Sequence, residues 1–431
     1  MRICIYEDRR TADLEPLTLT RPASDLLCGL DSLGDKHARY FAAEVVGYLC
    51  RSRLAAHLRE RDSQSPVNDP AWLRSAPTVL VNARWLPPTP AGLRLAPATR
   101  RLFASGPSIG TCAGKLAFAV LDTRRLQAIA PNTLDDCLND LAQSLPTRDV
   151  GGHLIGRPWD LIEHNSAQIE RDFATTCNPT DVGHHPTGFA VVGPADRLYV
   201  HASAKIDPMV VADTSKGPVW IGPNTVVAAF TRLEGPCAIG AGTHLLGAKL
   251  RAGTTLGPQC RIGGEVECSI VQGFTNKYHD GFLGHSYVGE WVNLAAGTIT
   301  GDLRFDYRPI SMRHDDTPVP TGRMKLGSII GDHSRTGLSV LLDCGTTIGA
   351  FASLLPTGQM APREVPSFAR VGPGGLVRSD VDAVLQGSAI AMRRRGRELT
   401  PALELVYRSI AGKSETRPLS IVPTVEMRKS A

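Results

Sequence analysis

Aliphatic residues recur at every sixth position through the second half of the chain. The first run is Ile221, Val227, Leu233, Ile239 and Leu245, and after one residue drops out it resumes as Leu250, Leu256 and Ile262. The spacing returns as Phe282, Val288 and Leu294, and then as Ile330, Thr336, Leu342, Ile348 and Leu354. A period of six matches neither a helix nor a simple strand, so it indicates a solenoid whose stacked coils bury one side chain per face. The pattern predicts a left-handed parallel β-helix (hexapeptide repeat) over residues 191–375.

Glycine content separates this block from the rest of the chain, since residues 217–375 hold 26 of the 42 glycines. Residues 1–190 instead alternate short apolar runs with helical stretches. Residues 2–6, 78–82 and 116–121 predict strands, and residues 134–145 predict a helix with Thr133 as its N-cap. Alternating strands and helices favour an α/β domain with a mostly parallel sheet, joined to the solenoid by a helical connector. Residues 376–431 predict a C-terminal helical segment, broken near Pro401, and a polar tail.

Composition narrows the class of function. The formal charge of +5 is mild for 431 residues and fits an anionic small molecule, whereas no basic stripe interleaved with aromatics suggests nucleic acid. Ten cysteines without ordered spacing indicate reduced thiols. The N-terminus becomes charged within a few residues, and no apolar run approaches the roughly 18 residues that a membrane span requires. We therefore expect a cytoplasmic protein with no membrane partner.

A polar segment, residues 276–286, interrupts the aliphatic ladder. His279 and His285 lie six residues apart, which places them on successive faces of one coil. His279 precedes Phe282 by three residues, so we expect its ring to point outward. Imidazole suits general-base chemistry near neutral pH. Asp280 or Glu290 could orient the ring.

Two further roles are expected around this segment. Lys277 could hold an anionic substrate group, and Asn293 could bond a sugar hydroxyl or an amide. The alternative is that these polar residues only satisfy backbone groups of the coil. Their density within eleven residues favours function.

These residues also carry a resemblance. Residues 263–300, with Asn-Lys-Tyr-His-Asp-Gly-Phe-Leu-Gly-His at 276–285 and Gly-Glu-Trp-Val-Asn-Leu at 289–294, resemble a divergent bacterial family of two-domain sugar-phosphate enzymes. That family is similar to the bifunctional N-acetylglucosamine-1-phosphate uridyltransferase/glucosamine-1-phosphate N-acetyltransferase. Residues 16–22, 158–161 and 325–337 match it too, so the resemblance covers about residues 1–375.

The resemblance implies roles for the solenoid. In the standard enzyme a catalytic His precedes an Asn by 14 residues, and His279 and Asn293 reproduce that spacing, which makes His279 a better base candidate than His285. It further implies acetyl-CoA as co-substrate, a sugar phosphate as acceptor and a homotrimer. The acyl donor would contact Ala296, Lys325 and Arg335. One departure is Glu267, which stands where the family has a phosphate-binding Lys.

The N-terminal half departs further. Related nucleotidyltransferases place a glycine-rich loop after the first strand, but residues 7–15 contain no glycine, and the central strand ends in Asn82 where a metal-binding Asp would stand. Backbone amides approach a pyrophosphate closely only where side chains are absent. Either nucleotide binding falls to Asp8, Arg9 and Arg21, with Mg²⁺ accompanying a nucleoside triphosphate, or this half has lost catalysis.

Three hypotheses remain open. The first is acetyl-CoA-dependent N-acetylation of an amino-sugar 1-phosphate, with nucleotidyl transfer to a UDP- or dTDP-sugar as an added activity. The second is a sugar-1-phosphate nucleotidylyltransferase whose β-helix is purely structural. The third is a non-catalytic scaffold that binds sugar nucleotides.

Overall fold

The N-terminal part of the protein is built on a six-stranded sheet flanked by helices. The computed structural model describes residues 1–88, 105–129, 133–177, 187–314 and 317–415. The strands here are β1 Arg2–Tyr6, β2 Leu27–Cys28, β3 Asp31–Ser32, β4 Val45–Leu49, β5 Thr78–Asn82, β6 Trp85–Leu86, β7 Ser108–Cys112, β8 Lys115–Leu121, β9 Thr147–Asp149 and β10 His153–Leu154. The helices are α1 Leu33–Tyr40, α2 Ser52–Arg61, α3 Pro70–Arg74, α4 Thr123–Gln127, α5 Leu134–Ser144 and α6 Pro158–Thr176.

The sheet has the order β4-β1-β5-β8-β7-β9. Strand β1 runs parallel to both β4 and β5, and β7 runs parallel to β9, whereas β8 is antiparallel to β5 and β7. All five residues of β5 are buried, because helices and loops cover both faces of the central strands. The predicted α/β sheet is confirmed. Thr133 precedes α5 but makes no side-chain cap hydrogen bond.

The second part is a parallel β-solenoid. Its strands are β11 Phe189–Val192, β12 Leu198–Val200, β13 Lys205–Ile206, β14 Val210–Asp213, β15 Val219–Ile221, β16 Val226–Val227, β17 Arg232–Glu234, β18 Cys237–Ile239, β19 His244–Leu250, β20 Thr254–Leu256, β21 Arg261–Glu267, β22 Ile270–Gly273, β23 Asn276–Lys277, β24 Phe282–Gly284, β25 Tyr287–Glu290, β26 Ile299–Thr300, β27 Ile310–His314, β28 Thr317–Arg323, β29 Ile329–Ile330, β30 Arg335–Thr336, β31 Leu341–Leu342, β32 Thr347–Ile348, β33 Ser353–Leu354, β34 Glu364–Val365, β35 Ala369–Gly372 and β36 Gly375–Arg378. One face stacks nine of these strands in the order β12-β15-β18-β20-β22-β25-β29-β32-β34. The antiparallel hairpin β27–β28 is inserted between two coils of this stack.

Backbone pairing between coils brings the aliphatic ladder into register. Ile221 pairs with Ile239, and Ile239 pairs with Leu256 on the next coil. These side chains and their counterparts on the other faces form one continuous core along the axis. The predicted solenoid and its inward-facing ladder are therefore confirmed, while the division of the chain at residues 190 and 375 stays a prediction.

The row of buried side chains continues through the polar segment, whereas the sequence predicted that this segment interrupts it. Phe282 is only partly buried, and the core position belongs to its neighbour Leu283, which is 1% exposed. Lys277 pairs with Ile262 of the preceding coil and is itself 2% exposed. The buried residues Leu283 and Val288 are five positions apart, so counting back by six from Val288 falls on Phe282 instead of Leu283. The same one-residue error keeps Lys277, six before Leu283, out of the predicted row.

Two helices, α7 Val381–Arg393 and α8 Pro401–Glu415, close the described part of the chain. Val406 and Ile410 of α8 pack in one core with Leu54 of α2 and Phe351 of the solenoid. This core joins the C-terminal helices to both other parts of the protein. The polar tail beyond residue 415 lies outside the described residues. Within the described ranges, no helix has the length and apolar character needed to cross a membrane.

Replacing Ile239 with Asp tests the solenoid core. Ile239 is 0% exposed, so the variant buries an unpaired carboxylate, and we expect a loss of several kcal/mol in the free energy of unfolding. Urea denaturation measures the loss. Phe230→Asp is the matched control, because Phe230 is 75% exposed on the same solenoid. Equal stability of the two variants would contradict the inward-facing ladder.

Candidate active site

His279 lies on a corner between two faces of one coil. Strand β23 ends at Lys277, the corner follows, and β24 begins at Phe282. The His279 side chain is exposed, and its ring meets the edge of Tyr278 with 5.8 Å between ring centroids. The ring is therefore accessible from outside the core.

This corner opens onto a cleft of about 570 Å³, the His279 cleft. Asn293 and Ala296, from the following coil, line the same cleft as His279. The structure thus brings together three residues that the sequence singled out.

The His279 cleft is also lined by basic residues that lie far away in sequence: His244 and Arg261 from earlier coils, and Arg394 and Arg395, which follow α7. Burial, with Arg261 and Arg395 nearby, lowers the pKa of His244. Burial and Arg395 likewise lower the pKa of Arg261. Among the lining residues there is no Asp or Glu. The cleft therefore concentrates positive charge that the described residues do not neutralise.

A second recess of about 310 Å³ continues from the cleft beneath α7. Residues of three successive coils line this recess in one row. The backbone of Asn276 forms a parallel β-bridge with Asn293, and Asn293 forms another with Arg335. Arg395 donates to Asn276 Oδ1 over 2.7 Å, and Arg335 donates to the carbonyl of Gly387 in α7 over 3.1 Å. Arg335 thus lies beside Asn293 on the next coil.

Lys277 lies beneath the same corner but does not face the cleft. Its ammonium donates to the carbonyl oxygens of Gly263 at 2.8 Å and Gly281 at 3.1 Å. Burial lowers the pKa of Lys277 to about 8, against the opposing effect of Asp280 and another nearby carboxylate. Asp280 is exposed on the corner next to His279. The structure therefore gives the lysine a buried backbone role and leaves no ammonium free for a substrate.

His285 lies on a different corner, and its Nδ1 is 2.7 Å from Asp302 Oδ2. Burial lowers the pKa of His285, but hydrogen bonds with Asp302 and Cys268 outweigh burial and raise it to about 9. The ring therefore carries a proton at neutral pH and is poorly suited to accept another. Lys325 is near this corner, 3.6 Å from Glu267 Oε1, and does not line the His279 cleft.

The expected nucleotide residues are held by protein partners. Asp8 accepts from Arg84 and from Asn82. Burial raises the pKa of Asp8, but the charge and hydrogen bond of Arg84, together with the hydrogen bonds of Asn82 and Thr11, outweigh burial and lower it below its ordinary value. Arg9 is exposed and donates to Asp136 over 2.6 Å. In the described part of the chain, no group of three or more His, Cys, Asp or Glu could hold a metal ion. The carboxylate of Asp8 is thus already engaged by protein donors.

Arg21 is buried between the N-terminal sheet and the solenoid. It forms ion pairs with Glu290, at 3.0 Å, and with Asp332. Thr20 also donates to Asp332, over 2.5 Å. Burial lowers the pKa of Arg21, but the two carboxylates outweigh it and raise the pKa above its ordinary value. The contact fastens the two parts of the protein together, and it also occupies Glu290, which does not reach His279.

Several residues of the cleft were not predicted from the sequence. Arg261 and His244 belong to regular coils and have no motif of their own. The arginine run at residues 393–397 is visible in the sequence, yet only the fold places Arg394 and Arg395 next to a histidine more than a hundred residues earlier. The arginine run was therefore the one sequence feature that could have pointed to Arg394 and Arg395 as residues of a binding site.

Comparisons with known proteins agree with the two-part architecture. The family described as sugar nucleotidyl transferase matches residues 3–178. A bifunctional sugar-1-phosphate nucleotidylyltransferase/acetyltransferase of Sulfurisphaera tokodaii is 35% identical over 214 residues, which cover 49% of this chain and 46% of that protein. The bifunctional protein GlmU of Methanocaldococcus jannaschii is 28% identical over 253 residues, covering 55% of this chain and 52% of that protein. The chain spans about half the length of these two relatives.

A shorter relative is matched over most of its length. An uncharacterised acetyltransferase of Escherichia coli, YaiX, is 31% identical over 166 residues, which cover 38% of this chain and 70% of that protein. The chain belongs to this acetyltransferase family. These matches confirm the resemblance that the sequence motifs indicated. The N-terminal part is similar to sugar nucleotidyl transferases, and the chain is also similar to bifunctional nucleotidylyltransferase/acetyltransferases.

Replacing Arg21 with Ala tests the contact between the two parts of this acetyltransferase-family chain. The variant leaves Glu290 and Asp332 without a counter-charge, so we expect a loss of about 3–5 kcal/mol in the free energy of unfolding. Chemical denaturation gives the value. Arg9→Ala is the control, since its pair with Asp136 is exposed and should contribute less than about 1 kcal/mol. An Arg21 variant as stable as the wild type would show that the buried pair is not a structural anchor.

Proposed function

We propose that the protein is an acetyltransferase that uses acetyl-CoA to N-acetylate an amino-sugar 1-phosphate in the His279 cleft. The observation that carries the proposal is the grouping of His279 and Asn293 with Arg261, Arg394 and Arg395 around one cleft that contains no carboxylate. A cation cluster of this kind favours a ligand with phosphate groups. Both the donor and the acceptor of this reaction carry phosphate.

The geometry supports distinct tasks for these residues. His279 is exposed at the cleft and would take a proton from the acceptor amine. As it does so, the amine nitrogen bonds to the acetyl carbon and the carbon–sulfur bond of acetyl-CoA breaks. The proton then passes to the departing thiolate, which completes the balance. Asn293 would orient the acceptor, and the row that continues past Asn276 to Arg335 would support an extended donor.

Removal of the base gives the main test. We expect His279→Ala to lower acetyl-CoA-dependent turnover of glucosamine 1-phosphate by about 10²–10⁴-fold, the usual contribution of a positioned general base. The thermal midpoint should stay close to the wild-type value because the ring lies outside the core. Release of free thiol measures turnover.

Two other histidines serve as comparisons. His201, which contacts Ser203 on an early coil, is a matched control, and its Ala variant should retain activity. His285→Ala should instead lose stability, because Asp302 loses its partner, and should cost less turnover than His279→Ala. Full turnover by the His279 variant would refute the assigned base.

Removal of the two arginines tests the anionic ligand. We expect Arg394→Ala with Arg395→Ala to raise the KM for a phosphate-bearing substrate at least about tenfold, because charge-assisted hydrogen bonds to phosphate are lost. The effect should shrink as salt rises and screens the charges. Arg393→Ala is the matched control, since Arg393 is exposed and does not line the cleft. An unchanged KM in the double variant would place the phosphate elsewhere.

We further propose that the protein assembles as a homotrimer through one face of the solenoid. Ile299, Leu341 and Met360 stack on successive coils of that face and are each more than a third exposed. A row of exposed apolar side chains suggests a protein contact. A neighbouring copy packed there would cover the row.

Nucleotidyl transfer is a second candidate, favoured by the match of residues 3–178 to sugar nucleotidyl transferases. The engaged state of Asp8, Arg9 and Arg21 argues against it. We expect purified protein with UTP, glucosamine 1-phosphate or its N-acetyl form, and Mg²⁺ to release little or no pyrophosphate. Robust formation of a UDP-sugar would show that this half is an active enzyme.

A further inference from the structure

Lys277 occupies a position that the fold otherwise reserves for aliphatic side chains. In the same row, Ile262 precedes it by one coil, and Leu294 follows it by one coil. Its side chain is 2% exposed. Lysine is almost never fully buried without partners, because its charge loses the solvation of water. An aliphatic side chain would fill this position at lower cost, so the ammonium calls for an explanation.

The contacts of the ammonium point to the corner that carries His279. Its Nζ lies 2.8 Å from the carbonyl oxygen of Gly263, 3.1 Å from that of Gly281 and 3.4 Å from that of His279. A protonated lysine has three donors, and here there are three carbonyls. Two of those carbonyls belong to the corner, so the ammonium ties the corner to the strand of the preceding coil.

Two glycines shape the backbone around Lys277 and the His279 corner. A Cβ on Gly264 would come 2.8 Å from Lys277 Nζ, and a Cβ on Gly281 would collide with the carbonyl oxygen of Thr298. Gly264 and Gly281 also adopt φ values of 66° and 145°, which side-chain-bearing residues rarely adopt. Gly264 therefore leaves the space that the ammonium occupies, and Gly281 lets the corner pass close to the next coil.

We propose that Lys277 is a positioning residue whose protonated ammonium fixes the corner that presents His279 to the acetyl-transfer cleft. This inference rests on the proposed function in assigning a catalytic task to His279. The fixation of the corner itself rests only on the contacts described above.

The proposal has a consequence for pH dependence. Burial lowers the pKa of Lys277 to about 8, while the neighbouring carboxylates Asp280 and Glu265 act in the opposite direction. As pH rises through 8, the ammonium becomes an amine with one donor fewer, and the corner loosens. The free energy of unfolding, by contrast, should rise between about pH 8 and 10.4. In this window the unfolded lysine, with a pKa of about 10.4, binds more protons than the folded one.

Three variants test the role. Lys277→Met refills the row without donors, Lys277→Gln keeps two donors that do not titrate, and Ile262→Met is the matched control one coil earlier. We expect Lys277→Met to lower kcat at least about tenfold with little change in KM, since orientation rather than binding is lost. Lys277→Gln should retain more activity and lack the fall in activity above pH 8. Ile262→Met should behave like the wild type.

Hydrogen–deuterium exchange separates this inference from the proposed function. In Lys277→Met, the amides of residues 278–281 should exchange at least about tenfold faster than in the wild type, whether or not the protein transfers acetyl groups. If Lys277→Met does not fold, amide exchange is compared between Lys277→Gln and the wild type. Because Gln keeps part of the hydrogen bonding, exchange at residues 278–281 should be faster than in the wild type by a smaller factor. Wild-type exchange at this corner in both variants would overturn the proposal. Wild-type protein without acetyl transfer, but with the expected exchange, would overturn the proposed function alone.

Discussion

The parallel stacking of coils is the constraint on which the rest of the structure depends. Each coil hydrogen-bonds to the coils before and after it, so every row along the axis must be filled by side chains of similar size. The side chains of the His279 cleft lie instead at corners and on outer faces, where they meet residues of neighbouring coils in fixed register. His279 and Asn293 come to one cleft for this reason, although they lie on different coils.

The sequence predicted the regular parts of this arrangement well. Spacing by six located the rows that contain Ile221, Ile239 and Leu256, because one hexad is one face of a coil. It failed where two buried residues lie five positions apart, so Phe282 was placed in the core instead of Leu283, and Lys277 was expected in a substrate site instead of an aliphatic row. A local count of residues carries no information about where this spacing changes.

Contacts between distant segments account for the remaining differences. Nothing in the sequence around Arg21 indicates that it would be buried against Glu290 and Asp332 on the solenoid. The partners of such a pair depend on how two separate parts pack together. The same applies to Arg395, which reaches Asn276 only because α7 lies across the outer face of the coils. Motif spacing found His279 and Asn293, whereas only the fold found the cations around them.

The two parts of the protein distribute their charge differently. In the N-terminal part, Asp8, Arg9 and Arg21 each have a protein partner of opposite charge. In the His279 cleft, Arg261, Arg394 and Arg395 lie together with no carboxylate among the lining residues. Since unneutralised charge is costly to gather without a ligand, the cleft is the better candidate for catalysis.

A crystal structure of the protein with coenzyme A and glucosamine 1-phosphate tests the role of the His279 cleft most directly. We expect the acceptor amine to lie within hydrogen-bonding distance of His279 and phosphate groups to contact Arg394 or Arg395. We also expect the donor to extend along the row from Asn276 to Arg335. Ligands bound instead at the corner of His285, or at the end of the N-terminal sheet near Asp8, would contradict the assignment of the His279 cleft as the active site.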